Sequence, residues 1–343
     1  VMRAENVDAA ELLKVLRRER PDRPTLFEFY LNPALYERLA GRRAPMDPGP
    51  VSGHEPGRGE GRANGRGMDR SRMLAGYRAL GRWYADAFAA AGYDYVNLGP
   101  ALAFPSFVFR RVAHEEARSH SLNEGAPITS WEDLERFEWP GSDAIDVGII
   151  DALTDDLPEG MQALVYTPCG MLENLIDLVG YDQLCYMLVD DRELVAAVSK
   201  GIGDALESLY AAIADHPRLG AMIANDDWGF KTQTMISPDD LREFVYPAYR
   251  RITAISHRAG KPILFHSCGE LLAVMDDVID DLQFDAKHSF EDVIMPVEEV
   301  YERWGERIAI LGGIDVGFLC EAEPQEITKR SRAMLERTAS RGG

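Results

Sequence analysis

Gly260-Lys261-Pro262-Ile263-Leu264-Phe265-His266-Ser267-Cys268-Gly269 holds three events in ten residues. A helix ends at Ala259-Gly260, an apolar run begins after Pro262, and the run stops at an imidazole, a thiol and a chain-turning glycine. Side chains on a strand alternate with period two, so His266 and Cys268 share a face. An imidazole and a thiol on one face, at the end of a short buried strand, are a beginning for a zinc site. The plain alternative for the pair alone is a core cysteine beside a hydrogen-bonded histidine.

The same helix-then-strand unit recurs on both sides. Apolar or alternating runs at 25–31, 94–99, 162–168, 221–227, 263–268, 284–288 and 308–315 read as strands. Helical periodicity fills 8–19, 68–91, 171–179, 181–188, 192–213, 238–257, 270–279, 296–304 and 324–338, and 33–39 reads as a turn or short helix. Ser237-Pro238-Asp239-Asp240 is a strong helix start, with a hydroxyl cap, proline at the first helical position and acids in the first turn. The run 104–122 alternates and predicts a hairpin excursion. Strand and helix thus alternate seven times, which predicts an α/β fold with a parallel sheet closed as a (β/α)8 TIM barrel. The runner-up, an open doubly wound sheet, lacks a glycine fingerprint in its first βα turn. The eighth strand would start at Arg341-Gly342-Gly343, so it is expected to be missing from this chain, or the strand count is off by one.

Residues 1–343 are read as one barrel domain, in keeping with barrels of roughly 250 residues and more. Its odd segment is 41–67, rich in glycine and arginine (Arg42, Arg43, Arg58, Arg62, Arg66) and almost without apolar residues. Such composition predicts a mobile loop, either a solvated insertion or a lid for an anionic substrate. The chain carries 57 acids against 37 bases, a formal charge of −20, which argues against nucleic acid and anionic membranes as partners. No apolar run approaches the roughly 20 residues of a membrane span. The four cysteines (Cys169, Cys185, Cys268, Cys320) form no C-x-x-C and no disulfide framework, and residues 1–5 lack the form of a secretory signal. A cytoplasmic protein is expected.

In a barrel of this kind the active site lies at the C-terminal ends of the strands. Those ends read Glu28 and Tyr30; Asn97; Thr167 and Cys169; Asn225, Asp226 and Asp227; His266 and Cys268; Lys287 and His288; and Asp315. Asp227, His266, Cys268, His288 and Asp315 would give one mouth five metal-binding or acid–base groups. Loops are polar in any case, so Asp227 as a cap and Lys287-His288 as an ion pair with Glu291 or Asp292 are the plain alternatives.

From Ile223 to Asp315 the chain resembles the uroporphyrinogen decarboxylase superfamily, which also holds the methylcobamide:coenzyme M methyltransferases. The matching pieces are Asp226-Asp227-Trp228-Gly229, Ser237-Pro238, Tyr246-Pro247, Ala259-Gly260-Lys261, His266-Ser267-Cys268-Gly269 and Gly312-Gly313-Ile314-Asp315. The resemblance implies the (β/α)8 barrel. Decarboxylases of the group carry an arginine-rich N-terminal motif for substrate carboxylates, and Phe27-Glu28-Phe29-Tyr30-Leu31 has no arginine. The methyltransferase branch is similar in its His-x-Cys zinc pair, matched by His266 and Cys268. Its third ligand is a cysteine beyond the last strand; Cys320, Asp227 and His288 are the candidates within this chain.

The expectation is a zinc-dependent methyltransferase moving a methyl group from a corrinoid carrier protein to a thiol or similar small acceptor. His266 and Cys268 would hold the metal, and Asp227 and His288 would be catalytic. Glu28, Tyr30, Asn97, Asp226, Lys287 and Asp315 would bind substrate. The resemblance also implies a homodimer. The alternatives are a metal-free decarboxylase acting on a tetrapyrrole or other carboxylic acid, and a non-catalytic corrinoid- or tetrapyrrole-binding protein.

Overall fold

The computed structural model describes residues 7–46, 69–109, 123 and 125–338. Among them are six parallel strands in the order β1-β2-β3-β4-β5-β6: β1 Tyr95–Leu98, β2 Gln162–Tyr166, β3 Leu219–Asn225, β4 Ile263–His266, β5 Ala286–His288 and β6 Ala309–Leu311. Every neighbour is the next strand in sequence, which is the order of a βα barrel. Their side chains are buried on both faces, as a parallel sheet covered by helices requires.

The sheet curls. Phe27 packs on Tyr95 of β1, with ring centroids 5.6 Å apart, and on His288 of β5 at 4.9 Å. Four strand spacings in a flat sheet would put β1 and β5 roughly 19 Å apart, at about 4.8 Å each. One phenyl ring touches both only because the strands wrap around it. The hydrogen-bonded ladder is not closed between β6 and β1 among the described residues.

Residues 25–31, expected as the first strand, do not pair with the sheet. The segment lies over the inner wall, held by hydrogen bonds between its backbone and the Tyr95 hydroxyl: Glu28 N donates to Tyr95 Oη at 2.5 Å and Tyr95 Oη donates to Glu28 O at 2.7 Å. Alternation alone could not specify a hydrogen-bonded neighbour.

Helices cover the outer face. The helices Met171–Val179 and Arg192–Ile213 bury apolar faces in a core shared with β2 and β3. Ser237 caps the next helix as expected, its hydroxyl accepting from Asp240 N at 3.1 Å. That helix does not run evenly to 257: a π-helical turn, Leu241–Val245, precedes the regular helix Tyr246–Arg258. Gly260 then turns the chain at φ +70°, and Lys261 Nζ donates to His216 O (2.8 Å) and Leu219 O (2.7 Å), fixing the foot of β4 to that of β3.

One further expectation needs correction, and two others lie partly outside the described residues. The helix expected at 270–279 is a series of turns ending in a π-helical turn, Asp277–Asp281. Of the hairpin expected at 104–122, residues 104–109 form turns and coil with Phe107 and Phe109 packed edge to face, and 110–122 lie outside the described residues. The glycine- and arginine-rich stretch is described only to Met46; there Arg42 pairs with Asp86 at 2.6 Å, and the remainder to 67 lies outside. No helix among the described residues is long and apolar enough to cross a membrane.

Candidate metal centre at the ends of β3 and β4

The in-register row Asn225, His266, His288, Leu311 crosses the C-terminal ends of β3 to β6. Side chains of one row share a face, and contacts with Phe27 and Phe29 show that this face is the inner one. The alternate row, Phe265 and Lys287, faces the helices, where Phe265 packs on Trp228 and Phe284.

Beyond the strands, two loops are stitched together. Asp226 N donates to His266 O (3.0 Å), Trp228 N to Ser267 Oγ (2.9 Å) and Cys268 N to Asp227 Oδ1 (2.7 Å). Two glycines allow this approach. Gly269 sits at φ +82°, and a Cβ there would lie 2.1 Å from Gly229 O, a separation no side chain tolerates.

The stitching delivers three ligand atoms to one place. His266 Nε2 lies 3.8 Å from Cys268 Sγ and 3.8 Å from Asp227 Oδ1, and ligand atoms of the three residues all fall within 4.8 Å of one another. Zinc bonds of about 2.0–2.3 Å in a tetrahedron put ligand atoms roughly 3.3–3.8 Å apart. The donor set therefore fits zinc with a contraction of under about 1 Å, the chemistry also matching: soft sulfur, imidazole and carboxylate.

Burial pushes the Cys268 thiol up to about 11, with the Asp227 charge adding to it and the Ser289 hydroxyl, 3.5 Å from the sulfur, opposing it. A thiol so protonated is a poor nucleophile; a cation beside it would reverse that balance. His288 Nδ1 is 2.7 Å from His266 Nδ1, and burial, then His266 and Lys287, hold its ring well below the usual imidazole range.

The structure thus gathers Asp227, His266, Cys268 and His288. Other expected site residues stand elsewhere. Asp226 is 0% exposed, and its carboxylate accepts from Leu172 N, Glu173 N, Trp228 Nε1 and Tyr249 Oη at 2.6–3.0 Å. It caps the helix Met171–Val179 from the side and has no face left for substrate. Burial, then Glu173, pushes its carboxyl up to about 7 against those four donors. Lys287 is 2% exposed on the helix-facing side, where Nζ donates to Ser267 O (2.8 Å) and Ser289 O (2.5 Å) over the Phe290 ring. It ties the ends of β4 and β5 together, and burial lowers it to about 7. Among the described residues these carbonyl bonds stand in place of both the expected substrate contact and the alternative ion pair with Glu291 or Asp292.

Asp315 Oδ1 accepts from Phe318 N at 3.0 Å and caps the helix Val316–Glu321, which carries Cys320 exposed. Tyr30 is 44% exposed, and Glu28 Oε1 turns back to its neighbour's amide, Phe29 N, at 2.8 Å. The site-facing side of that segment is Phe27 and Phe29, with Phe29 4.6 Å from the His266 ring and 4.9 Å from Tyr166. These aromatics and Tyr166 were missed. The i, i+2 spacing of Phe27 and Phe29 marks one face of the segment as clearly as that of Glu28 and Tyr30, and spacing alone does not say which face turns inward. Asn97 is buried on the inner row beside Leu164, and neither its Oδ1 nor its Nδ2 has a hydrogen-bond partner among the described residues.

The class so defined is a (β/α)-barrel protein of the parallel, sequential type, with a soft-ligand cluster at its C-terminal mouth. The chain belongs to the uroporphyrinogen decarboxylase family: the model of that family, Uroporphyrinogen decarboxylase (URO-D), matches residues 125–343. Its fold is similar to that of a methyltransferase from Methanosarcina mazei, with a TM-score of 0.62 over 96% of this chain and 89% of the other. The two are 13% identical, so the likeness speaks for the fold alone. No curated protein sequence matches the chain.

Proposed function

We propose that the protein is a zinc-dependent methyltransferase that accepts a methyl group from a corrinoid carrier onto a small thiol or related acceptor. The observation that carries this reading is the convergence of Asp227, His266 and Cys268 within 4.8 Å at the inner mouth of a barrel of this family. His266 Nε2 and Cys268 Sγ would hold the metal, with Asp227 as the third protein donor or as the acceptor of the substrate proton. Zinc with an open position lowers the pKa of a bound thiol and so makes it a nucleophile at neutral pH. The chain's own groups do the rest. Phe29 packs on the His266 ring and Phe27 on the His288 ring, so the two phenyl groups would hold the imidazoles in orientation at the inner side of the site. The Asp227 carboxylate, oriented by the hydrogen bond it accepts from Cys268 N, would take the substrate proton in this reading.

Metal analysis of the purified protein tests the reading. One zinc per chain is expected, lost in His266→Ala and in Cys268→Ala. Zinc-free protein that turns over a carboxylic acid would sink it and favour the decarboxylase that gives the family its name. Absence of any turnover with zinc bound would favour a carrier role.

A further inference from the structure

The imidazoles at the ends of β4 and β5 meet through like atoms: His266 Nδ1 and His288 Nδ1, 2.7 Å apart. In-register pairing puts the two residues side by side on the inner face. Phe27 and Phe29 hold the His288 ring in place, with centroids 4.9 and 5.2 Å away. At 2.7 Å the two nitrogens must share one proton, since two N–H groups would clash and two lone pairs would repel. The direction of that bond decides the chemistry of the far side of His266. If His266 Nδ1 accepts, Nε2 carries hydrogen and no lone pair is left for a metal. If His266 Nδ1 donates, the Nε2 lone pair looks out at Cys268 Sγ and Asp227 Oδ1, both 3.8 Å away.

We infer that His288 is a positioning residue: it accepts the His266 Nδ1 proton and fixes the tautomer whose Nε2 binds the metal. The inference rests on the zinc reading above and deepens it. Metal-bound histidines usually give their second N–H to a carboxylate, carbonyl or water. Among the described residues no carboxylate is bonded to His288. A neutral imidazole in that place leaves Asp227 and the Cys268 thiolate as the negative charges of the cluster, and so leaves more positive charge on the metal than a carboxylate partner would.

Two variants separate this role from others. His288→Phe keeps a ring against Phe27 and Phe29 but removes the acceptor, whereas His288→Asn places an amide oxygen close to the Nδ1 position. Zinc affinity of the full chain is measured by competition with a chromophoric chelator, and the cobalt(II) absorption spectrum reports the ligand set. The Phe variant is expected to bind zinc about 10–100-fold more weakly, with the Asn variant near the wild type and its cobalt spectrum unchanged. Wild-type affinity in the Phe variant overturns the inference. So does an Asn variant that fails as badly as Phe or alters the cobalt spectrum, because His288 would then itself be a ligand. Should the Phe variant not fold, His288→Gln, whose amide reaches the Nε2 rather than the Nδ1 position, replaces it as the arm expected to lose affinity. Wild-type protein that binds no zinc fails the zinc reading first, and this inference with it.

Discussion

His257 Nε2 lies 2.9 Å from Asp285 Oδ2, the same oxygen that accepts from Ile263 N at 2.8 Å. The contact joins the helix Tyr246–Arg258 to the feet of β4 and β5, away from the mouth. The hydrogen bond to Asp285 raises the imidazole above its ordinary value of 6.5, and partial burial opposes it. A raised folded pKa means the charged bond contributes fully below about 6.5 and fades as pH climbs through the folded value. Both groups are partly exposed, so screening keeps the effect under about 1 kcal/mol. Urea denaturation of the wild type and His257→Ala at pH 5.5 and 8.5 is expected to show the larger gap at the lower pH. An equal gap at both would mean that the ring acts by packing and not by charge.

The element that decides the site is the pair of loops after β3 and β4, and its weak point is backbone against backbone. Gly269→Ala adds a Cβ 2.1 Å from Gly229 O at φ +82°. The backbone must separate, carrying Cys268 away from Asp227. Gly260 is the control, at φ +70° with nothing within 4 Å of an added Cβ. Gly260→Ala should cost about 1–2 kcal/mol, the left-handed backbone penalty alone. Gly269→Ala should cost more than that and also lose zinc affinity, read by urea denaturation and chelator competition. If both variants bind zinc as the wild type does, loop apposition does not build the centre. These loops were only half readable beforehand. The strands β1 to β6 announce themselves as apolar runs because a covered parallel strand must be apolar, and His-x-Cys shows its shared face by period alone. What period cannot supply is the neighbour across a ladder. Asp226 and Asp227 are adjacent acids in the chain, yet one is sealed among four donors and the other reaches the ligands. Lys287 and His288 are likewise adjacent and face opposite sides, which only the register with Phe265 and His266 reveals.

For the molecule as a whole, the ladder among the described residues is open between β6 and β1, so something other than strand pairing must hold the curl there. Residues 25–31 supply much of the answer, since Phe29 alone touches rings of β2, β4 and β5: Tyr166 at 4.9 Å, His266 at 4.6 Å and His288 at 5.2 Å. A single side chain that packs on three strands couples them, so its loss costs more than its own transfer from water. Phe29→Ala is therefore expected to destabilise by about 3–5 kcal/mol, seen as a lower urea midpoint with the slope preserved. Tyr30, its neighbour, is 44% exposed, and Tyr30→Ala should stay within about 0.5 kcal/mol. The comparison is a test of parity: the sequence alone allows Glu28 and Tyr30 to face inward, and the contacts turn Phe27 and Phe29 inward. A reversed order, with Tyr30→Ala the costly variant, would return the polar pair to the mouth. It would also remove the aromatic wall on which the orientation of His266 and His288 depends. Because Phe29 packs on the His266 ring, Phe29→Ala should weaken the proposed zinc binding even under conditions where the variant remains folded. Retained affinity in the folded variant would show that the loops after β3 and β4 hold the centre unaided.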